Sequence, residues 1–165
     1  MKKLILTRHA KSSWNDPMAT DHARVLNGRG RENATAMGHW LKAQGYLPDA
    51  VLCSTAERAV QTWEGMGLAM ESTAAITYET ALYHASADQL LAQMRKMEAE
   101  TVILVAHNPG IGDFADRLAK SRHDHEAFFR YPTCSTTVFQ LDIPNWSELR
   151  FGIGDILAFQ IPREL

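Results

Sequence analysis

The sequence lacks the features that mark several protein classes. It has two cysteines in 165 residues, Cys53 and Cys134, in no CxxC pair or zinc-ligand spacing. A disulfide framework needs more of them. There is no surplus of positive charge, since seventeen Lys and Arg stand against nineteen Asp and Glu for a formal net charge of −2. Such a chain is poorly equipped to neutralise a phosphate backbone, so nucleic acid is not an expected partner. Long hydrophobic runs are also missing. Leu4-Ile5-Leu6 follows two lysines as in a secretory leader, yet Arg8 ends the apolar stretch far short of a leader core or membrane span. No repeat or low-complexity stretch interrupts the chain. The expectation is a reduced, soluble, cytoplasmic protein with no membrane partner.

Apolar residues make up 45% of the chain and charged residues 22%, enough for a real core in one domain over residues 1–165. Leu4-Ile5-Leu6 reads as a strand buried on both faces. Asn27-Gly28 then turns into a helix, with Ala34, Met37, Gly38 and Leu41 on one face and a stop near Gly45. A second strand runs from Asp49 to Cys53, with Ser54 or Thr55 expected to cap the next helix. Ile76-Thr77-Tyr78 reads as a short strand, and Leu90, Leu91, Met94 and Met97 mark an amphipathic helix. Thr101 to Ala106 is the strongest strand signal, and Asn108-Pro109-Gly110 opens another helix. Ser135 to Leu141 and Ile156 to Ile161 read as strands with no helix between them. This alternation predicts an α/β fold around a mostly parallel central sheet with added C-terminal strands.

Ligands in open α/β sheets collect beyond the carboxyl ends of the strands. The first strand runs into Thr7-Arg8-His9-Ala10 and the strongest into Ala106-His107-Asn108-Pro109. The second runs into Cys53-Ser54-Thr55-Ala56-Glu57-Arg58. In a parallel sheet, two imidazoles and two guanidiniums would meet at one edge. Arginine forks bind phosphate oxygens in pairs, and helix N-termini add N–H donors. An imidazole held by a backbone contact can attack phosphorus in line. The cluster predicts phosphotransfer with no metal and no cofactor. Taken singly, His9 reads as a structural hydrogen bonder, Arg8 and Arg58 as surface charges, and His107 as a helix cap. Only the coincidence of three strand ends favours chemistry.

Other motifs point nowhere specific. The spacing from Cys53 to Arg58 is one residue too short for a cysteine-phosphatase loop and lacks its glycine, so Cys53 reads as a buried strand residue. Gly28-Arg29-Gly30 lacks the last glycine of a dinucleotide fingerprint. His123-Asp124-His125 sits in a charged run and is expected as a solvated loop rather than a metal site. The four tryptophans show no regular spacing and read as core and rim packing.

Three segments together resemble the histidine phosphatase (phosphoglycerate mutase-like) superfamily, and its small SixA-type phosphohistidine phosphatases in particular. They are Arg8-His9-Ala10 with Lys11-Ser12-Ser13-Trp14-Asn15 after it, Ser54-Thr55-Ala56-Glu57-Arg58-Ala59-Val60-Gln61-Thr62, and Val105-Ala106-His107-Asn108-Pro109-Gly110. Asp21, Arg24, Leu26 and Arg29-Gly30 look like the stretch joining the first loop to the first helix. The resemblance covers almost the whole chain and implies a three-layer sandwich. It implies that His9 accepts the phosphoryl group, that Arg8 and Arg58 bind its oxygens, and that His107 completes the pocket. Ser12 and Asn15 match positions that add phosphate contacts in longer relatives.

Two departures stand out. Ala10 replaces the usual Gly, which requires a negative φ there. Larger relatives also carry a carboxylic acid that protonates an alkoxide leaving group, where this chain has Ala81. Glu79 lies two residues earlier, on the same face of an extended segment, and is the candidate proton donor, with Tyr83 and His84 as others. A weak or missing acid suits a phosphohistidine substrate, because imidazole leaves with a conjugate-acid pKa of about 6.5. The expected partner is therefore a protein bearing phosphohistidine. Alternatives are a small phosphorylated substrate of a phosphomonoesterase, or a phosphoprotein-binding module without turnover.

Overall fold

The computed structural model of the chain describes residues 1–165. The apolar runs become strands: β1 at Lys2–Arg8, β2 at Ala50–Ser54, β3 at Ala75–Glu79, β4 at Thr101–Ala106, β5 at Thr136–Leu141 and β6 at Asp155–Gln160. They form one sheet in the order β3-β2-β4-β1-β5-β6. Neighbours from β3 to β1 pair in parallel, and β5 runs antiparallel to β1 and β6. The fold is the expected α/β arrangement, with the C-terminal strands added on one side.

Alternation along the strands divides the core in two. Leu4, Leu6, Leu52, Val102 and Leu104 face one way and pack with α3 (Ala87–Met94) and α4 (Gly110–Leu118). Ile5, Val51, Cys53, Ile103 and Val105 face the other way, toward α1 (Gly28–Gln44) and α2 (Glu57–Met70). Three layers result, and Cys53 is a core residue whose thiol burial holds well above its usual pKa. The side chain of Asn27 caps α1 by accepting from the Gly30 amide at 2.8 Å, and Gly45 ends the helix in the left-handed region at φ 80°.

Because β1, β2 and β4 are parallel, Arg8, Ser54 and Ala106 end on one edge of the sheet. β5 begins and β6 ends on that same edge, since Thr136 pairs with both Thr7 and Gln160. Two glycines hold helix starts against the loops leaving this edge. A Cβ on Gly30 would lie 2.1 Å from the Lys11 carbonyl oxygen, and one on Gly110 would lie 1.9 Å from that of Ala85. No helix is long and apolar enough to cross a membrane.

Local expectations were corrected at three places. The N-cap of α2 is Ala56, which offers no side-chain cap, because Ser54 is drawn to His107 and Thr55 to His22. The helix expected through Met97 ends at Met94, where Arg95 closes it. His123 and His125 are not a free solvated run: both rings pack on Phe159, and His125 Nε2 meets Glu164 at 2.9 Å.

Candidate active site

His9 and His107 leave adjacent strands with their ring centroids 5.1 Å apart. Both are buried. His9 Nδ1 lies 2.8 Å from the Ala10 carbonyl oxygen. That oxygen can only accept, so the ring proton is assigned to Nδ1 and the lone pair to Nε2. Burial lowers the His9 pKa to about 4, with Arg58, Arg8 and Arg24 adding to the shift against the opposing Ala10 contact. His107 falls to about 3, through burial first and then the charges of His9, Arg58 and His84. Both imidazoles are therefore neutral at pH 7, as a nitrogen nucleophile requires.

Backbone contacts fix the loop that carries His9. The Cys134 amide donates to the Arg8 and His9 carbonyls at 3.1 and 3.0 Å. The Ala10 amide donates to Thr62 Oγ1 at 2.9 Å, and that hydroxyl donates to the Arg58 carbonyl at 2.7 Å. Thr62 thus ties the nucleophile loop to the helix that bears Arg58. Gln61 beside it accepts from the Leu26 amide at 2.8 Å and anchors the segment returning to α1. Ala10 is buried and is not among the residues with positive φ, so the methyl fits where glycine was expected.

His107 Nε2 lies 2.8 Å from Ser54 Oγ, while its buried Nδ1 has no protein partner. If the Ser54 hydroxyl donates to Nε2, the ring proton sits on Nδ1. Arg8 places Nη1 3.1 Å from the Tyr131 carbonyl, and its buried Nε also lacks a protein partner. The third such atom is Ser135 Oγ, next to the carbonyl that accepts from the Arg8 amide. Unsatisfied buried donors are costly, and here all three gather around the end of β1.

Arg58 is buried and faces Asp21, donating to its carbonyl at 2.6 Å and its carboxylate at 3.1 Å. The same carboxylate accepts from Arg24 Nη1 at 2.9 Å and from the Tyr83 hydroxyl, and His84 Nε2 lies 4.0 Å away. The Tyr83 phenol, then Arg58 and Arg24, hold Asp21 well below the usual carboxylate range. Desolvation and Asp21 push the Tyr83 phenol upward. The Tyr83 ring stands edge-on to His107 at 5.5 Å, with the Arg58 guanidinium 5.9 Å from its centre.

Arg8, His9, Arg58 and His107 thus share one edge. Ser12 is buried behind the loop, where its hydroxyl accepts from Arg24. Asn15 is exposed and makes only a backbone contact to Ser13 Oγ at 3.1 Å. Glu79 caps a 3-10 turn at Thr80–Leu82, accepting from the Ala81 amide at 3.0 Å, and forms no hydrogen bond or ion pair with either histidine. Sequence reasoning did not place Asp21, Arg24 and Ser54 in the site. A signal for the first two was available in the family resemblance, which covers Asp21 and Arg24; they lie in a turn rather than a helix.

A mostly parallel sheet whose edge gathers two guanidiniums and two neutral imidazoles is an α/β arrangement with the chemistry to hold an oxyanion. The chain belongs to the histidine phosphatase superfamily (branch 1), whose family model matches residues 4–87. It is a phosphatase by class. An uncharacterised protein of Mycobacterium leprae is 32% identical, covering 94% of this chain and 99% of that one. A solved structure from Nakamurella multipartitia, described as a candidate phosphohistidine phosphatase SixA, has a TM-score of 0.81. It is 29% identical and covers 98% of this chain and 96% of its own. The protein histidine phosphatase SixA complexed with tungstate shares the fold, with a TM-score of 0.80 at 20% identity and 98% of both chains covered.

Proposed function

We propose that the protein hydrolyses phosphohistidine on a partner protein, through a phosphohistidine intermediate on His9. Arg8 and Arg58 hold the phosphoryl oxygens, and His9 Nε2 attacks phosphorus on the side opposite the leaving nitrogen. The substrate N–P bond breaks as the new one forms, and the departing imidazole carries its own proton. The His107 N–H donates to an equatorial oxygen as charge builds there. Water then attacks phosphorus on His9, releasing inorganic phosphate and restoring the imidazole. No step needs a metal or cofactor.

The observation that supports the covalent step is the pairing of His9 Nδ1 with the Ala10 carbonyl, which leaves the Nε2 lone pair free for attack. The substrate class rests on the absence of a free carboxylic acid among the candidate donors, the one remaining donor, His84, being an imidazole 69% exposed and 4.0 Å from Asp21. Asp21 is ionised and held by two arginines, Glu79 caps a turn, and the Tyr83 proton points to Asp21. An alkoxide has no obvious proton source here, whereas imidazole needs little help. The surroundings also suit a protein. The loop after His9 exposes Trp14 at 73% and Met18 at 88%. On another side, a groove of about 370 Å³ lined by His84, Ser86, Asn108 and Asp113 runs past the site. A separate cavity of about 410 Å³ near Lys2, Arg95 and Trp146 lies at the start of β1, far along the strand from the histidines. The SixA resemblance supports the same substrate class.

The test compares kcat/KM for a phosphohistidine-bearing carrier protein with that for an alkyl phosphate such as phosphoserine. Turnover of the carrier should be faster by about 10²-fold or more, the scale of one missing general acid. Comparable rates would refute the substrate class and favour a small-molecule phosphomonoesterase. Binding of the carrier with no turnover would leave a phosphoprotein-binding module.

A further inference from the structure

The sheet edge that carries His9 holds a second group of unneutralised positive charge, displaced toward β5 and β6. Arg29 in the first turn of α1, Arg130 before β5 and Arg163 after β6 line a cavity of about 90 Å³. Asn33 and Thr133 border it as well. Arg29 and Arg130 form no ion pair with any residue of the chain. Arg163 has one partner, Glu126 at 3.4 Å, whose carboxylate is 80% exposed. The side chains of Asn33 and Thr133 make no hydrogen bond in the structure. Three arginines, an asparagine and a threonine thus line one small space with almost no internal use for their side-chain donors. Such like charges repel unless an anion lies between them.

We infer that this cavity is a second oxyanion site, distinct from the catalytic pocket, for a single tetrahedral anion such as phosphate. Its volume of about 90 Å³ has room for one phosphate group. Arginine forks read such an anion in pairs of hydrogen bonds. Below the arginines, Ala127 and Ile161 are buried and give the cavity an apolar floor. The site also touches the catalytic machinery from behind. The carbonyl of Arg130 accepts from Asn108 Nδ2 at 2.9 Å, and that of Tyr131 accepts from Arg8 Nη1 at 3.1 Å. Gly30, next to Arg29, lies against Lys11 of the nucleophile loop. The anion is either free phosphate or a phosphoryl group carried on a partner's chain.

The experiment follows arginine side-chain Nε–Hε NMR signals in the full protein during titration with inorganic phosphate. It is run on the wild type and on Arg58→Ala, which weakens the catalytic pocket. The expected result is saturable movement of the Arg29, Arg130 and Arg163 signals in both proteins. Arg29→Gln combined with Arg163→Gln should weaken that binding by about tenfold or more through the loss of two charge-assisted contacts. A second titration uses a phosphothreonine peptide on His9→Ala, which cannot turn it over by the proposed route. Tighter binding than free phosphate assigns the site to a partner's phosphoryl group, and equal or weaker binding assigns it to the free ion. Movement confined to Arg8 and Arg58, or shifts that never saturate, would overturn the inference. None of the inorganic-phosphate outcomes depends on whether His9 is the nucleophile.

Discussion

The floor of the site and its rim solve opposite electrostatic problems. His9, His107 and Ser54 form a buried floor without net charge, where desolvation keeps both imidazoles neutral. Asp21, Arg24, Tyr83 and His84 form a partly exposed rim held by ion pairs and hydrogen bonds. The floor offers a nitrogen lone pair at neutral pH, and the rim fixes the guanidinium proposed to meet the phosphoryl oxygens. Arg58 joins them, buried like the floor but bonded to the rim. The comparison teaches that neutrality and charge are kept apart by depth. A protonated His9 could not attack phosphorus, and an unpaired Arg58 would lose its aim.

The sharpest way to break the comparison is at Arg58, where the two regions meet. Arg58→Ala should lower kcat/KM by about 10²- to 10³-fold through loss of oxyanion stabilisation. Steady-state kinetics on the phosphohistidine carrier check this, and a loss below tenfold would show that Arg8 alone carries the charge.

Acidification attacks the floor next. Protonating His9 removes its lone pair, so kcat/KM for the free enzyme should rise with pH, level off above about 4 and fall tenfold per unit below it. Folding stability carries the same sign. Both histidines have folded-state pKa values below the unfolded value of about 6.5, so the unfolded chain binds more protons in between. Stability should therefore decline as pH falls from about 6.5 toward 4, and denaturant melts across that window measure it. A rate profile with its limb near 6.5 would show that burial does not shift His9.

The smallest expected effect belongs to the rim. Tyr83→Phe should change turnover of the carrier by less than about fivefold, because the phenol proton is directed at Asp21 rather than at a leaving group. A loss of 10²-fold or more would make Tyr83 the missing acid, on the usual scale of general acid catalysis.

The two regions were also unequally legible. Each principal strand could be read from a short apolar run, and the floor follows from the residues directly after three of them. His9, Ser54 and His107 need only a parallel sheet to meet, although Ser54 looked like a cap because its partner lies 53 residues away. The rim depends on contacts that no local pattern encodes. Asp21 reaches Arg58 across 37 residues and Tyr83 across 62. Glu79 had the right residue type and the right strand end, but the nearest free donor was the Ala81 amide two residues on. Local hydrogen bonding of this kind competes with any distant role.

The most direct test of the account is to trap the intermediate. The protein is mixed with a phosphohistidine carrier, quenched rapidly in alkali where phosphohistidine survives, digested, and compared by mass with His9→Ala. The account predicts a phosphoryl group on the peptide containing His9 in the wild type, none in the variant, and loss of turnover by about 10⁴-fold or more on removing the nucleophile. Turnover that persists in His9→Ala, or a phosphoryl group trapped on His107 instead, would contradict it.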